Sequence, residues 1–427
     1  MFLETSMQSN ESPSVTKRSI NRIVIGDVGS GKTIVAFLVA LTYLRSLATG
    51  QVALLAPTEV LAFQHYQGLN RLLNSLDDSH FSVSSIFLTS KSVLFNGEKT
   101  TATKLAKFLN ENPQTYIFWV GTQALLHSQL IKPDMVLVDE QHRFGVRQRQ
   151  LLTQQQTQLT PHFISFTATP IPRTLALTVY KQLQPHFLET LASRNPIITK
   201  VQPFEQLPNI IHDIKQEIQK NRKVYIICPQ VESGEEPDDE IWSVKRAQIF
   251  FEQYFPNQTL LVHGKDKQKK DVLQQFKDDQ TKPILVSTTV IEVGVDVAAA
   301  TMVVIFNAER FGLSALHQIR GRVGRNDDAH NYCILLTPKQ FAQKPRLQAL
   351  VRLNNGFDIA EEDLKLRGSG DVIGQVQSGF GSDIDEIIGL NPELYEKLSS
   401  LADSVDIENL PRLKNYVQQQ ASKVWAE

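Results

Sequence analysis

Eight residues restrict what this chain can fold into more than any others: Gly26-Asp27-Val28-Gly29-Ser30-Gly31-Lys32-Thr33. They fit G-x-x-x-x-G-K-[ST], and their flanks fit the context that this pattern needs. Asn21-Arg22-Ile23-Val24-Ile25 reads as a short buried strand. After the motif, Ile34, Val35, Phe37, Leu38, Leu41 and Leu44 recur at helical spacing until Gly50. A strand, a glycine-rich turn and a helix N-terminus make a cradle for phosphate, because the glycines let backbone N–H groups turn inward and the helix end adds positive potential. In such a cradle Gly26, Gly29, Ser30 and Gly31 line the phosphates, Lys32 reaches the β- and γ-phosphates and Thr33 holds Mg²⁺. The stretch predicts a nucleotide site.

The remaining apolar runs say what surrounds that site. Val52–Ala56, Ile117–Val120, Met135–Val138 and His162–Phe166 form one β-branched series. Val224–Cys228, Leu260–Val262, Ile284–Ser287, Met302–Phe306 and Tyr332–Leu336 form a second. Strands alternating with helices predict parallel sheets covered on both faces. Between the series lies a weakly patterned stretch, about 191 to 208, with Pro196, Pro203 and Pro208, which reads as a linker. The expected organisation is a lead-in over 1–19, a first α/β domain over 20–195 and a second over 196–338. Beyond it, 339–427 is expected to be mostly helical, with helices over Gln340–Asn354 and Asp358–Leu366 and a glycine-rich loop from Arg367 to Ser382. A length of 427 residues suits about two or three domains.

Composition narrows the setting. No apolar run approaches the ~18 residues that a membrane span requires, and the first twenty residues lack the apolar core of a signal peptide. Only two cysteines occur, Cys228 and Cys333, each inside a strand-like run, where core packing is the expected role. These features point to a reduced, cytoplasmic setting without a membrane. The net charge of −1 excludes a globally basic coat, so nucleic-acid binding is expected only in a local groove.

Further blocks supply the parts that a phosphate site lacks. Val136-Leu137-Val138 ends in Asp139-Glu140-Gln141-His142. A carboxylate at a strand's C-terminal end, in a sheet that also carries a phosphate loop, is placed to hold Mg²⁺. Asp139 takes that role, and Glu140 would orient and deprotonate the attacking water. Ser165 to Pro170 ends another strand with small hydroxyl residues that could link the nucleotide site to the second domain. Gln318-Ile319-Arg320-Gly321-Arg322-Val323-Gly324-Arg325 sets three arginines in six positions, and arginine forks suit phosphate oxygens across a cleft. The 287–296 block ends a strand with hydroxyls suited to nucleic-acid phosphates, and Asp296 could touch the nucleotide.

In order, these blocks resemble the superfamily 2 helicase set, together with Ala56-Pro57-Thr58-Glu59 and Gly121-Thr122-Gln123-Ala124. The phosphate loop with the 139–149 run, Ala168 to Leu175, and the tail Asp363 to Gly370 followed by Gln377-Ser378-Gly379 closely resemble the bacterial fork-remodelling helicase family RecG. The related Mfd translocases share the tail, but Gln141-His142 and the 143–149 run favour RecG. The resemblance implies two RecA-like domains in tandem, with ATP in the cleft between them. Lys32, Thr33, Asp139 and Glu140 would act on one side, and Arg322 and Arg325 would complete the site from the other. Gln318 would contact nucleotide or couple the domains. Thr58, Thr122 and Thr288 would touch the DNA backbone, and Arg367 and Gln377 would sit in a translocation loop levered by the helical pair at 340–366. The implied activity is that of a DNA-dependent ATPase motor on branched or duplex DNA, expected to be monomeric. In this family an oligonucleotide-binding wedge domain and an adenine-recognising segment precede the motor. Only 25 residues precede Gly26, so the expectation is either a separated or truncated motor or one whose wedge is supplied by another polypeptide; the alternative reading is an ATP-gated DNA-binding or regulatory module without autonomous helicase activity.

Overall fold

The computed structural model describes residues 19–76, 81–140, 161–168, 184–189, 196–230, 241–263, 266, 268–289, 297, 299–324 and 330–367. Within them two sheets form. The first contains β1 (Asn21–Gly26), β2 (Gly50–Leu55), β3 (Val83–Leu88), β4 (Val93–Phe95), β5 (Glu98–Lys99), β6 (Tyr116–Gly121), β7 (Met135–Asp139), β8 (His162–Thr167) and β9 (Pro185–Leu188). Their order is β5-β4-β3-β6-β2-β7-β8-β1-β9. Only the β3–β4 and β4–β5 pairs are antiparallel. The second sheet contains β10 (Ile197–Pro203), β11 (Lys223–Ile227), β12 (Thr259–Val262), β13 (Ile284–Ser287), β14 (Ala300–Ile305) and β15 (Asn331–Thr337). It runs β10-β15-β14-β11-β13-β12 and is parallel throughout.

Alternate side chains of these strands enter opposite cores, so the strands are apolar on both faces. Leu54, Phe118 and Leu137 join one core with Ala36, Phe37 and Ala40 of helix α1 (Lys32–Arg45). Their neighbours Leu55, Trp119 and Val136 join another core with Leu105 of helix α3 (Ala102–Glu111). The second sheet divides in the same way, Tyr225 and Ile227 to one side and Val224 and Ile226 to the other. Parallel pairing also brings the C-terminal ends of the strands to one edge of each sheet, where loops can hold ligands without disturbing either core. Both cysteines are buried and free; burial pushes the Cys333 thiol up to about 12, which suits packing and not reaction.

Among the described residues the helices are α1, α2 (Glu59–Ser75), α3, α4 (Leu207–Gln219), α5 (Val244–Tyr254), α6 (Lys269–Asp278), α7 (Leu313–Arg320), α8 (Pro345–Arg352) and α9 (Gly356–Arg367). The helix expected over 340–354 is shorter than predicted. A single 3₁₀ turn covers Lys339–Phe341, and α8 begins at Pro345. Proline restricts the residue before it to extended backbone, and Lys344 has ψ 130. Proline then starts α8 well, because its missing N–H needs no partner in the first turn. The stretch read as a linker also contains regular structure. Its residues Ile197–Pro203 form β10, paired in register with Asn331–Thr337.

The two sheets meet at close range. Val60 of α2 packs against the core of the second sheet, and the rings of Phe187 and Phe357 meet edge to face at 5.5 Å. Gly321 follows α7 so closely against Val28 that a Cβ there would lie 2.8 Å from the valine side chain. No helix among the described residues is long and apolar enough to cross a membrane.

Gly121 ends β6 beside the end of β3, where a Cβ would stand 2.0 Å from the Leu88 carbonyl oxygen. Backbone cannot yield as a flexible side chain can. Gly121→Ala is therefore expected to destabilise the chain by about 1–3 kcal/mol, the usual cost of overpacking, read as a lower urea midpoint. An unchanged midpoint would show that the β3–β6 contact is looser than described.

Candidate active site

The phosphate loop leaves β1 at Gly26 and enters α1 at Lys32. Gly29 and Gly31 have φ of 81 and 82, the left-handed region that a side chain disfavours, which explains the glycines. Gly31 is the N-cap of α1 and makes no side-chain cap bond, and the first turn holds no acidic residue. By contrast, Thr58 caps α2, Thr101 caps α3 and Ser243 caps α5. The start of α1 is thus open to an anion. The buried Ser30 hydroxyl has no hydrogen-bond partner among the described residues, and a phosphate oxygen would supply one. Lys32 folds back, its Nζ donating to the carbonyls of Gly26 at 2.8 Å and Asp27 at 2.7 Å. The orphaned hydroxyl, open helix end and retractable ammonium fit a nucleotide polyphosphate.

Asp139 and Glu140 lie where β7 ends, separated from β1 in the sheet by β8. Asp139 Oδ2 accepts a hydrogen bond from His65 Nε2 of α2 at 2.8 Å. Glu140 has φ 53, a costly conformation for a residue with a side chain, held by its N–H donating to the Phe166 carbonyl at 2.9 Å. From the second sheet, α7 brings His317, Gln318 and Arg320 to the same cleft, with Gly321 and Arg322 following. The charges converge on Lys32. Burial lowers its pKa most, the carboxylates of Glu140, Asp139 and Asp27 act to raise it, and Arg322 acts to lower it.

Asp27 lies at the seam. Its Oδ1 accepts from His317 Nε2 at 2.5 Å and from the Val28 N–H at 2.6 Å, and its Oδ2 from the Gly356 N–H at 2.8 Å. Burial pushes the Asp27 carboxyl pKa up, but these hydrogen bonds more than offset that and leave it below the ordinary value. Arg320 donates to the carbonyls of Leu350 and Leu353, both at 2.8 Å, and of Asn354 at 3.1 Å, and also to His317 Nδ1 at 3.1 Å. An arginine can only donate, so Nδ1 accepts and Nε2 carries the proton. His317 therefore bridges the Asp27 carboxylate and the Arg320 guanidinium.

The structure brings Lys32, Asp139, Glu140 and Arg322 together, and Gln318 lies on α7 next to His317. Thr58 and Thr122 follow neighbouring strands β2 and β6, and Thr288 follows β13. Arg367 ends α9, and its side chain lies outside the described residues, as do Gln141, His142, Thr169, Pro170, Asp296, Arg325 and Gln377. Sequence reasoning missed His65, His317, Arg320 as a backbone clamp, and the Asp27 carboxylate. His65 lies seven positions after Thr58, on the buried face of α2. By pattern that is an ordinary core histidine, and only the pairing of β2 with β7 explains how it meets Asp139.

Without His65, Asp139 is free to rotate away from its present orientation. His65→Ala is expected to lower ATP turnover about 10–100-fold, the range for residues that orient a ligating carboxylate. His65→Gln, which keeps a donor, should retain most of it; equal turnover in His65→Ala and the parent would remove His65 from the account.

Comparison with known proteins agrees with this geometry. The DEAD/DEAH box helicase model matches residues 5–178, the helicase conserved C-terminal domain matches 202–327, and the model of RecG domain 3, C-terminal, matches 353–392. The ATP-dependent DNA helicase RecG of Aquifex aeolicus is 40% identical over 418 residues, covering 92% of this chain and 50% of the relative. RecG of Streptococcus pneumoniae is 37% identical, covering 94% and 58%, and that of Synechocystis 43% identical, covering 84% and 42%. The chain thus spans about half the length of these relatives. Among solved structures, RecG bound to a three-way DNA junction superposes with a TM-score of 0.67 at 31% identity, covering 90% of this chain and 48% of that one. Mss116p bound to single-stranded RNA and AMP-PNP shares the fold alone, with a TM-score of 0.54 at 17% identity, covering 82% and 74%. Two parallel-sheet domains that match helicase models, joined to a segment that matches the third RecG domain, make the chain similar to the RecG ATP-dependent DNA helicases over about half of their length.

Proposed function

We propose that this chain is a DNA-dependent ATPase motor that moves on branched or duplex DNA. The observation that carries the reading is that the phosphate loop, with the open start of α1 behind it, meets α7 of the second sheet directly, Asp27 Oδ1 accepting from His317 Nε2 at 2.5 Å. ATP would lie between the sheets. Ser30, Gly31 and the open end of α1 would hold its phosphates, Lys32 would leave the loop carbonyls for the β- and γ-phosphates, and Thr33 with Asp139 would hold Mg²⁺. A bound Mg²⁺ would neutralise charge on the phosphates. Glu140 would take the proton of the attacking water, its strained backbone fixing where the carboxylate points. Arg322, with Arg325, would stabilise charge that builds on the transferred phosphoryl group, an interaction possible only when the second sheet closes on the first.

DNA would lie along the strand ends. Thr58 keeps a hydroxyl proton to donate, since as a cap its oxygen only accepts, from the Leu61 N–H at 3.3 Å. With Thr122 and Thr288 it would meet backbone phosphates, contacts that position a duplex without reading its sequence. The junction-bound RecG neighbour and the match to RecG domain 3 support branched DNA as the substrate.

ATP hydrolysis by the purified chain should rise at least about tenfold on addition of forked DNA, a coupling of ordinary size between two sites. Lys32→Ala should abolish turnover with and without DNA. Turnover that ignores DNA, or that survives the substitution, would overturn the motor reading.

A further inference from the structure

The hydrogen-bonded path through Asp27 has no part in the chemistry described above, yet it joins three pieces that the motor must coordinate. Its first end is the phosphate loop. The backbone carbonyl of Asp27 holds the ammonium of Lys32, while its carboxylate is held by His317 and the Gly356 N–H. The second piece is α7, through His317 and Arg320. The third is the pair α8–α9: Arg320 clamps the end of α8 by the carbonyls of Leu350, Leu353 and Asn354, and Gly356 opens α9. Gly356 fits only because it has no side chain. A Cβ there would stand 2.9 Å from both the Asp27 carboxylate and His317 Nε2. Phe357, the next residue, stacks edge to face on Phe187 beside β1, so the start of α9 is fixed to the first sheet twice.

We propose that Asp27 is a positioning residue that ties the phosphate loop to the α8–α9 pair through His317, Arg320 and Gly356, so that filling the loop with nucleotide is felt directly at the start of α9. The link is mechanical. When Lys32 turns to a phosphate it releases the Asp27 carbonyl, and the peptide that carries the carboxylate gains freedom to rotate. The carboxylate is buried and cannot exchange its partners for water, so His317 and Gly356 must move with it or lose their bonds. A histidine engaged at both ring nitrogens, by a carboxylate on one side and a guanidinium on the other, transmits such a shift in both directions. This inference rests on the motor reading above, but its test does not need DNA stimulation to succeed.

The test is hydrogen–deuterium exchange on the full chain, with and without ADP or a non-hydrolysable ATP analogue, read on amides 356–367. In the parent, nucleotide should change exchange at the start of α9. In His317→Ala and in Gly356→Val the change should vanish at nucleotide concentrations that saturate each variant. His317→Gln, whose amide both donates and accepts, should restore it. DNA stimulation of hydrolysis should fall about tenfold in the two disrupting variants, within the usual range of a coupling energy. A nucleotide-dependent change at α9 that persists in properly folded His317→Ala and Gly356→Val would overturn the proposal. So would a parent chain that binds nucleotide with no change there. A parent with the exchange change but no DNA-stimulated turnover would instead sink the motor reading and leave the link standing.

Discussion

A buried carboxylate at the centre of the cleft must find its hydrogen bonds where no water reaches it, and Asp27 finds two of its three in the other half of the molecule. Left unpaired, such a group would cost several kcal/mol. The relative placement of the two sheets therefore depends on it, with Val28 seated on Gly321 and Phe187 on Phe357 as the apolar surround. An apolar contact tolerates sliding; a carboxylate fixed from both of its oxygens does not.

The same cleft concentrates charge. Lys32 is drawn down by burial and by Arg322 and held up by three carboxylates, a balance that makes its proton affinity sensitive to anything placed among them. Each wall brings what the other lacks. The first sheet supplies the open helix end and the carboxylates, and the second supplies arginine. Neither wall alone surrounds a phosphate. That division explains why a motor of this kind would hydrolyse ATP only when closed.

Local pattern made some of this legible and left the rest hidden. The phosphate loop could be read because three physical signals agree within about 25 residues: a buried strand, glycines at positive φ and an amphipathic helix. Strands such as Val224–Ile227 and Met302–Ile305 were legible because parallel strands buried on both faces are continuous apolar runs. β3 was hidden by Ser84 and Ser85, which are buried but polar. The hairpin after it did carry a signal: Asn96-Gly97, both at positive φ, between Val93–Phe95 and Glu98–Lys99. β10 was obscured by Pro196 just before it and Pro203 at its end, positions that an edge strand tolerates. Of the site, the residues with motif spacing were found, whereas His65, His317 and Gly356 were not. Their roles exist only once α2 lies under β7 and α7 lies against the loop, which are long-range facts with no local trace.

The central claim is that two walls share one phosphate site, and Arg322 tests it most directly because it belongs to the second sheet and acts in the first. Single-turnover hydrolysis by Arg322→Ala, with nucleotide affinity measured in parallel, separates binding from chemistry. The account predicts nearly unchanged affinity and a rate lower by about 10³-fold, as for other arginines supplied across a cleft. A rate equal to the parent's at equal affinity would contradict it, and would confine the chemistry to the first sheet.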